Sequence, residues 1–280
     1  MEVILAKTAG FCFGVDRAVR QAVEEAAKTD GPVYTYGPLV HNEEVIKDLE
    51  SKGIRTVSAE ELEKLDGGTV IIRAHGIPKA EQEELEERGF RVVDLTCPFV
   101  KRIHKIVKEA SEAGDTIVIT GNKDHPEVKG IVGWCDGPAY VLDDESGIAQ
   151  IPQDAPITVV SQTTFNAKKF TELVEKISER SYNKHVVNTI CNATQERQTE
   201  ASAIAERADV MIVIGGRQSS NTQKLYDICR SACHRTYYIQ TPEDLTTLSF
   251  APVSSVGITA GASTPNNIIQ EVYTHVRGNQ

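Results

Sequence analysis

Three cysteines of the chain stand in one repeated setting. Each closes an apolar, β-branched run and opens a helical one: VILAKTAGFCFGVDRAV carries Cys12, RVVDLTCPFVKRI carries Cys97 and HVVNTICNATQER carries Cys191. A cysteine between a strand and a helix sits at the helix N-terminus, where the dipole favours thiolate, the metal-binding form. Iron–sulfur clusters are commonly held by four cysteines, so three thiolates facing one centre would leave one iron of a [4Fe–4S] cluster open to substrate. Three buried core cysteines, or a zinc site completed by a histidine, remain chemically open alternatives. Pro98 suits a first helical position and Asn192 a cap.

Histidines recur in matching places. His41 follows a strand in YTYGPLVHNEEV, His75 in VIIRAHGIP and His125 in IVITGNKDHPEV, each among the Gly, Pro and polar residues of strand-end loops. Imidazoles that donate hydrogen bonds can grip phosphate oxygens. Glu127, two residues past His125, could be the acid of a proton relay or a first-turn glutamate favoured by the helix dipole. The last third supplies an anion cradle. VMIVIGGRQSSNTQKL runs through Ser219, Ser220 and Asn221 into a helix, and VGITAGASTPNNII does the same with Ser263. Backbone amides and hydroxyls at a helix N-terminus bind phosphate, although neither segment is a Walker A loop or a dinucleotide fingerprint. Thr163 and Thr164 in VVSQTTF end another strand and can face the same centre.

Positioning these residues requires alternating strands and helices. Strand-type runs lie at Glu2–Ala6, Val33–Tyr36, Val70–Arg73, Arg91–Leu95, Thr116–Thr120, Ile157–Ser161, His185–Thr189, Val210–Ile214, Thr236–Ile239 and Ser254–Thr259. Val15, Ala18, Val19, Ala22, Val23 and Ala26 fall on one helical face, as do Ile103, Val107 and Ala110, and Phe170, Leu173, Val174 and Ile177. The alternation predicts an α/β fold with mainly parallel sheets. The repeated strand–Cys–helix segments predict three small α/β units, over 12–96, 97–191 and 192–280, the last joined by the N-terminal strand 1–11.

The chain has 280 residues and a formal charge of −10, with 40% hydrophobic and 25% charged residues. That is ordinary for a soluble protein and argues against a nucleic-acid partner, which usually meets a basic face. No run of about 18 apolar residues marks a membrane span, and the N-terminus lacks a signal-peptide pattern. The expectation is a cytoplasmic protein whose six cysteines are not needed for disulfides.

In order along the chain come GFCFGVDRAV, YGPLVHN, RAHG, DLTCPFV, GNKDHPEV, SQTTF, the Cys191 segment, GGRQSSNT and GITAGASTP. Together they resemble the motif series of the 4-hydroxy-3-methylbut-2-enyl diphosphate reductase family over nearly the whole length. The resemblance implies three α/β units arranged in pseudo-threefold fashion around a central [4Fe–4S] cluster held by Cys12, Cys97 and Cys191. It implies diphosphate binding by His41, His75, His125, Ser219, Ser220, Asn221 and Ser263, with Thr164 facing the same substrate. Glu127 would deliver protons and Thr163 would order the substrate hydroxyl. Cys135, Cys229 and Cys233 match no ligand of that family and read as structural or incidental. The implied reaction is reductive removal of an allylic hydroxyl. A zinc-dependent phosphohydrolase and a phosphometabolite-binding protein are the other readings.

No flavin or nicotinamide fingerprint is present, so electrons must come from outside, with reduced ferredoxin or flavodoxin as the expected donor. Lys101, Lys105 and Lys108 share one face of the helix after Cys97, with Arg102 and His104 beside it. That basic face is a candidate docking surface for an acidic donor.

Overall fold

The computed structural model describes residues 1–153, 155–180, 183–247 and 253–278. In chain order these form β1 (Glu2–Leu5), α1 (Phe13–Lys28), β2 (Val33–Tyr36), α2 (Glu43–Ser51), β3 (Ile54–Val57), α3 (Ala59–Leu62), β4 (Thr69–Ile72), α4 (Lys79–Glu87), β5 (Arg91–Asp94), α5 (Pro98–Glu112) and β6 (Thr116–Thr120). Then come α6 (Pro126–Val132), β7 (Ala139–Leu142), β8 (Ile157–Ser161), α7 (Ala167–Arg180), β9 (Lys184–Val186), α8 (Asn192–Ala205), β10 (Val210–Ile214), α9 (Ser220–Ala232), β11 (Thr236–Ile239), β12 (Ser255–Ala260) and α10 (Asn266–Gly278).

The strands make three four-stranded sheets, ordered β1-β12-β10-β11, β5-β4-β2-β3 and β9-β8-β6-β7, and every pairing is parallel. The three orders are one topology. In each, the first and third strands of the unit lie side by side in the middle, the second lies at one edge and the fourth at the other. β1 takes the fourth place in the sheet otherwise built from β10, β11 and β12.

Burial follows this order. β4, β6, β8, β10 and β12 are buried along their full length, whereas the edge strands β1, β5 and β9 are only partly so. Central parallel strands are covered on both faces and therefore read as continuous Val and Ile runs. The helices bury the faces their periodicity predicts: Val15, Ala18 and Ala22 on α1, Ile103 and Val107 on α5, and Phe170, Leu173 and Ile177 on α7. Burying one such aliphatic side chain is worth about 1.5–3 kcal/mol. A charge at Ile103 would therefore release α5, and with it the turn at Cys97.

The chain groups into two compact units. The first comprises Met1–Asp16, Val40–Asp48 and Asn192–Gln280; the second comprises Arg17–Leu39 and Leu49–Cys191. The first holds the sheet of β1 and β10–β12, and the second holds the other two sheets.

Three local features differ from the sequence reading. β3 and β7 were not expected; each is short, and the exposed Arg55 in the one and half-buried Ala139 in the other give no continuous apolar run. β9 ends at Val186, short of the expected Thr189. There the Thr189 side chain takes over the pairing: its hydroxyl accepts from the Ser161 amide at 2.7 Å and donates to the Ser161 carbonyl at 2.6 Å. Asn192 is the first helical residue of α8 and not its cap.

Candidate active site

All the chemistry predicted from the sequence leaves the sheets at the carboxyl ends of the strands, and always from the same three of four positions. The edge strands β1, β5 and β9 lead to Cys12, Cys97 and Cys191. Their neighbours β12, β4 and β8 lead to Ser263, His75 and Thr163. The next strands, β10, β2 and β6, lead to Ser219–Asn221, His41 and His125 with Glu127. The far-edge strands β11, β3 and β7 lead to none of them. In open parallel sheets, ligands collect outside the strand ends where the chain order reverses, here between the two central strands.

Backbone bonds fix each cysteine to its neighbouring loop. The Cys12 amide donates to the Ala262 carbonyl at 3.2 Å, the Cys97 amide to Ala74 at 3.0 Å and the Cys191 amide to Thr163 at 3.1 Å. Each acceptor is, or adjoins, a predicted substrate residue: Ser263, His75 or Thr163.

In the first unit, Ser219 caps α9, its hydroxyl accepting from the Thr222 amide at 3.3 Å. Ser220 and Asn221 form the first helical positions. Asn221 is 6% exposed, and its buried Nδ2 has no hydrogen-bond partner. An unmatched buried donor at a helix N-terminus suits an oxygen-rich anion. The Ser263 hydroxyl donates to the His41 carbonyl at 3.1 Å. Gly216 packs on the same backbone so closely that a Cβ there would lie 2.5 Å from the His41 oxygen.

In the second unit, the His75 and His125 rings meet edge to face with centroids 5.3 Å apart. His125 caps α6: its Nδ1 accepts from the Glu127 amide at 3.1 Å. That fixes the tautomer, leaving the ring proton on Nε2 as a donor. Pro126 follows at the first helical position.

Glu127 is 2% exposed. Its two oxygens accept from the Thr163 amide at 2.6 Å and the Thr163 hydroxyl at 2.7 Å. Burial pushes its pKa up to about 7, against the opposing pull of these two bonds. Glu127 is both in the first turn of α6 and buried, so the helix dipole and desolvation act on the same carboxyl. Thr164 accepts from the Gln162 side-chain amide at 3.0 Å, which makes it a part of the loop's own bonding.

The donor chemistry of the cysteines separates them into two sets. Cys12, Cys97 and Cys191 are partly exposed at strand-to-helix turns, and no cysteine is in a disulfide. Cys97 occupies the cap position of α5 without a side-chain cap bond. Cys229 and Cys233 lie in the core between β10, α8 and α9, and their thiols donate to the Ala201 and Ala208 carbonyls. Burial pushes both Cys135 and Cys229 up to about 12, so they stay thiols. Only the first set fits a thiolate-held metal cluster.

One expectation needs correction. His104 does not lie on a solvated basic face; it is buried, with its ring stacked on Trp134 at 5.1 Å. The three lysines of α5 are each offset by an acid: Lys101 by Asp94 at 2.6 Å, Lys105 by Glu109 at 3.7 Å and Lys108 by Glu112 at 3.6 Å. Each of the three lysines therefore has an acidic neighbour, while Arg102 beside them is exposed. Sequence reasoning also missed Arg197, whose signal was a cation in the buried stripe that continues as Ala201, Ile204 and Ala205. No described helix is long and apolar enough to cross a membrane.

The LytB protein family model matches residues 3–277. The 4-hydroxy-3-methylbut-2-enyl diphosphate reductase of Caldanaerobacter subterraneus subsp. tengcongensis is 46% identical over 279 residues, covering 99% of this chain and 97% of its own. That of Aquifex aeolicus is 41% identical over 280 residues, covering 99% and 96%. A solved (E)-4-hydroxy-3-methyl-but-2-enyl diphosphate reductase, described as the terminal enzyme of the non-mevalonate pathway, superposes with a TM-score of 0.73 at 41% identity, covering 99% of this chain and 100% of its own. The Plasmodium falciparum reductase superposes with a TM-score of 0.88 at 28% identity, covering 99% and 87%. With a matching family model across almost its entire length and full-length relatives above 40% identity, the chain belongs to the LytB protein family.

Proposed function

We propose that the chain reductively removes the hydroxyl of 4-hydroxy-3-methylbut-2-enyl diphosphate, giving isopentenyl and dimethylallyl diphosphate. Two electrons and two protons enter, and the hydroxyl oxygen leaves as water. The observation that carries this reading is the buried Glu127 carboxyl on Thr163, in a chain whose relatives bear that activity as their name.

Hydroxide is a poor leaving group, and a proton given to its oxygen removes that obstacle. Glu127 holds such a proton near neutral pH because its carboxylate is costly to bury. Protonated, the carboxyl can donate back to the Thr163 hydroxyl, which then passes its own proton to the substrate oxygen. The Nε2 proton of His125, His75 beside it, His41, the amides and hydroxyls at the start of α9, the Nδ2 of Asn221 and the turn at Ser263 are the donors for the diphosphate. Charge-assisted bonds of about 1.5–3 kcal/mol each, several at once, would hold that tail and orient the C–O bond.

Cys12, Cys97 and Cys191 would hold the [4Fe–4S] cluster. Bound, it would supply electrons and Lewis-acid chemistry. Reduced ferredoxin or flavodoxin is the proposed donor, and the cytoplasm the proposed compartment.

The test is anaerobic purification with iron and sulfide analysis, followed by turnover of the hydroxylated diphosphate with a one-electron chemical reductant. A brown, iron-containing protein that forms both products supports the reading. A colourless zinc protein that releases phosphate instead sinks it in favour of the phosphohydrolase.

A further inference from the structure

Two arginines lie at the start of the helices that follow cysteines, and each reaches the turn before a different cysteine. Arg17, on α1 behind Cys12, donates from Nη1 to the Thr96 carbonyl at 3.2 Å. Thr96 immediately precedes Cys97. Arg197, on α8 behind Cys191, donates from Nη1 to the Ala260 carbonyl at 2.8 Å and from Nη2 to the Gly10 carbonyl at 3.0 Å. Gly10 lies two residues before Cys12, and Ala260 ends the strand that leads to Ser263. Arg197 is 3% exposed, an unusual place for a cation whose fork is spent on backbone carbonyls.

Each turn has a second anchor. From the next turn of α8, the Glu200 carboxylate accepts from the Lys7 amide at 2.9 Å, the Thr8 amide at 2.8 Å and the Thr8 hydroxyl at 2.6 Å. Arg197 and Glu200 thus grip both sides of the loop between β1 and Cys12. At the other turn, Asp94 accepts from the Thr96 amide at 2.9 Å and bridges Lys101.

We propose that Arg17 and Arg197 are positioning residues for Cys97 and Cys12 respectively, each fixing the turn that presents the thiolate. A carbonyl oxygen bonded to a guanidinium has its negative end offset by that cation, so it opposes a thiolate in the same turn less. The fork of Arg197 ties the Cys12 turn to the turn of Ser263, so one side chain sets both the metal-facing thiol and an anion-binding loop. Only the consequence for a metal cluster rests on the proposed function; the geometric role stands without it.

The experiment uses the full chain, anaerobically loaded, as wild type, Arg17→Gln and Arg197→Gln. Hydrogen exchange by mass spectrometry reads the Cys97 segment 94–98 and the Cys12 segment 8–13 separately. Losing a charge-assisted bond should speed local exchange about tenfold. Arg17→Gln should speed the first segment and leave the second at the wild-type rate; Arg197→Gln should do the reverse, and each should lose iron to a chelator faster than wild type. Equal exchange in both segments, or a uniform rise along the chain, would overturn the proposal. Should Arg197→Gln fail to fold, Arg197→Lys keeps the charge and reaches one carbonyl; it should loosen segment 8–13 alone, and a uniform rise there would also overturn it. A wild type that holds no iron would sink the cluster reading, while the exchange pattern would still decide this one.

Discussion

Thr163 binds both oxygens of Glu127, with its amide at 2.6 Å from one and its hydroxyl at 2.7 Å from the other. The carboxyl is thereby fixed in rotamer and kept from water, and the Thr163 hydroxyl it binds can relay a proton outward. Glu127→Gln preserves the shape and the bond from the Thr163 amide but removes the titrating proton. Turnover should fall by about 10²–10⁴-fold while substrate affinity stays close to wild type. Steady-state kinetics with a chemical reductant checks this; near-normal turnover would return Glu127 to the role of a first-turn residue.

The same carboxyl sets a pH dependence. Burial raises its pKa to about 7, so the proton-donating form is full in mild acid and is lost as pH rises through about 7. The rate should decline over that interval in wild type. In Glu127→Gln the residual rate should show no such step. A wild-type profile flat from pH 6 to 8 would mean that this group does not titrate in the rate-limiting step.

Cys12→Ser, Cys97→Ser and Cys191→Ser should each lose iron and turnover, because these three occupy equivalent edge-strand turns. Cys135→Ser, Cys229→Ser and Cys233→Ser should keep both. Serine at Cys229 places a hydroxyl in an apolar core and should cost stability, about 1 kcal/mol, rather than activity. Iron analysis and chemical denaturation separate the two effects; full iron in any of the first three variants would overturn its assignment.

How much of this was written in the sequence depends on the kind of signal. The central strands were legible because both faces are buried, so that Val210–Ile214 and Ile157–Ser161 are apolar throughout. β3 and β7 were not, since an outer strand needs only one covered face and a few residues. Candidate site residues could be named from the sequence because strand ends, glycines and helix starts mark the places where chemistry collects, and the fold puts them at the carboxyl ends of the strands. The partners of those residues could not be named. Nothing in the spacing of Arg197 and Gly10 announces that they meet, since such a contact depends on which strands become neighbours. Of the acids beside Lys101, Lys105 and Lys108, Glu109 and Glu112 sit four residues on along α5 and were there to be read, whereas Asp94 ends β5 and meets Lys101 only in the fold.

Asn221 offers a test of the anion cradle. Its buried Nδ2 lacks a partner, a cost that a folded protein tolerates where a ligand later supplies the acceptor. Asn221→Ala should raise KM about 10- to 100-fold with a smaller change in kcat, corresponding to the loss of one hydrogen bond to a charged group. Asn221→Leu, which removes the orphan donor at similar volume, should also lose affinity while matching or exceeding wild-type stability. Unchanged KM in both variants would remove Asn221 from the substrate site.

His104 makes a final prediction about stability. Its ring is stacked on Trp134 and presses against Gly76, where a Cβ would lie 2.7 Å from its Cε1, and its buried Nε2 has no hydrogen-bond partner. Burial lowers its pKa to about 4; the Asp94 carboxylate pulls it up less strongly, and the Lys101 charge adds to the lowering. The unfolded chain takes up a proton at this site near pH 6.5, whereas the folded chain refuses it until about pH 4. The neutral ring therefore contributes its full stability above pH 6.5 and loses it as pH falls toward 4, a change on the order of 3 kcal/mol. Glu127 works in the opposite sense: its raised pKa favours the folded state at low pH, and that contribution fades as pH rises through about 7. The two partly cancel in wild type, so the informative quantity is the difference between wild type and His104→Gln, which cannot titrate. Urea unfolding at pH 7 and pH 5 should show His104→Gln less stable than wild type at pH 7, through the lost stacking, and closer to it or more stable at pH 5. An equal gap at both pH values would show that the ring is protonated in the fold, and would leave Trp134 stacked on a cation.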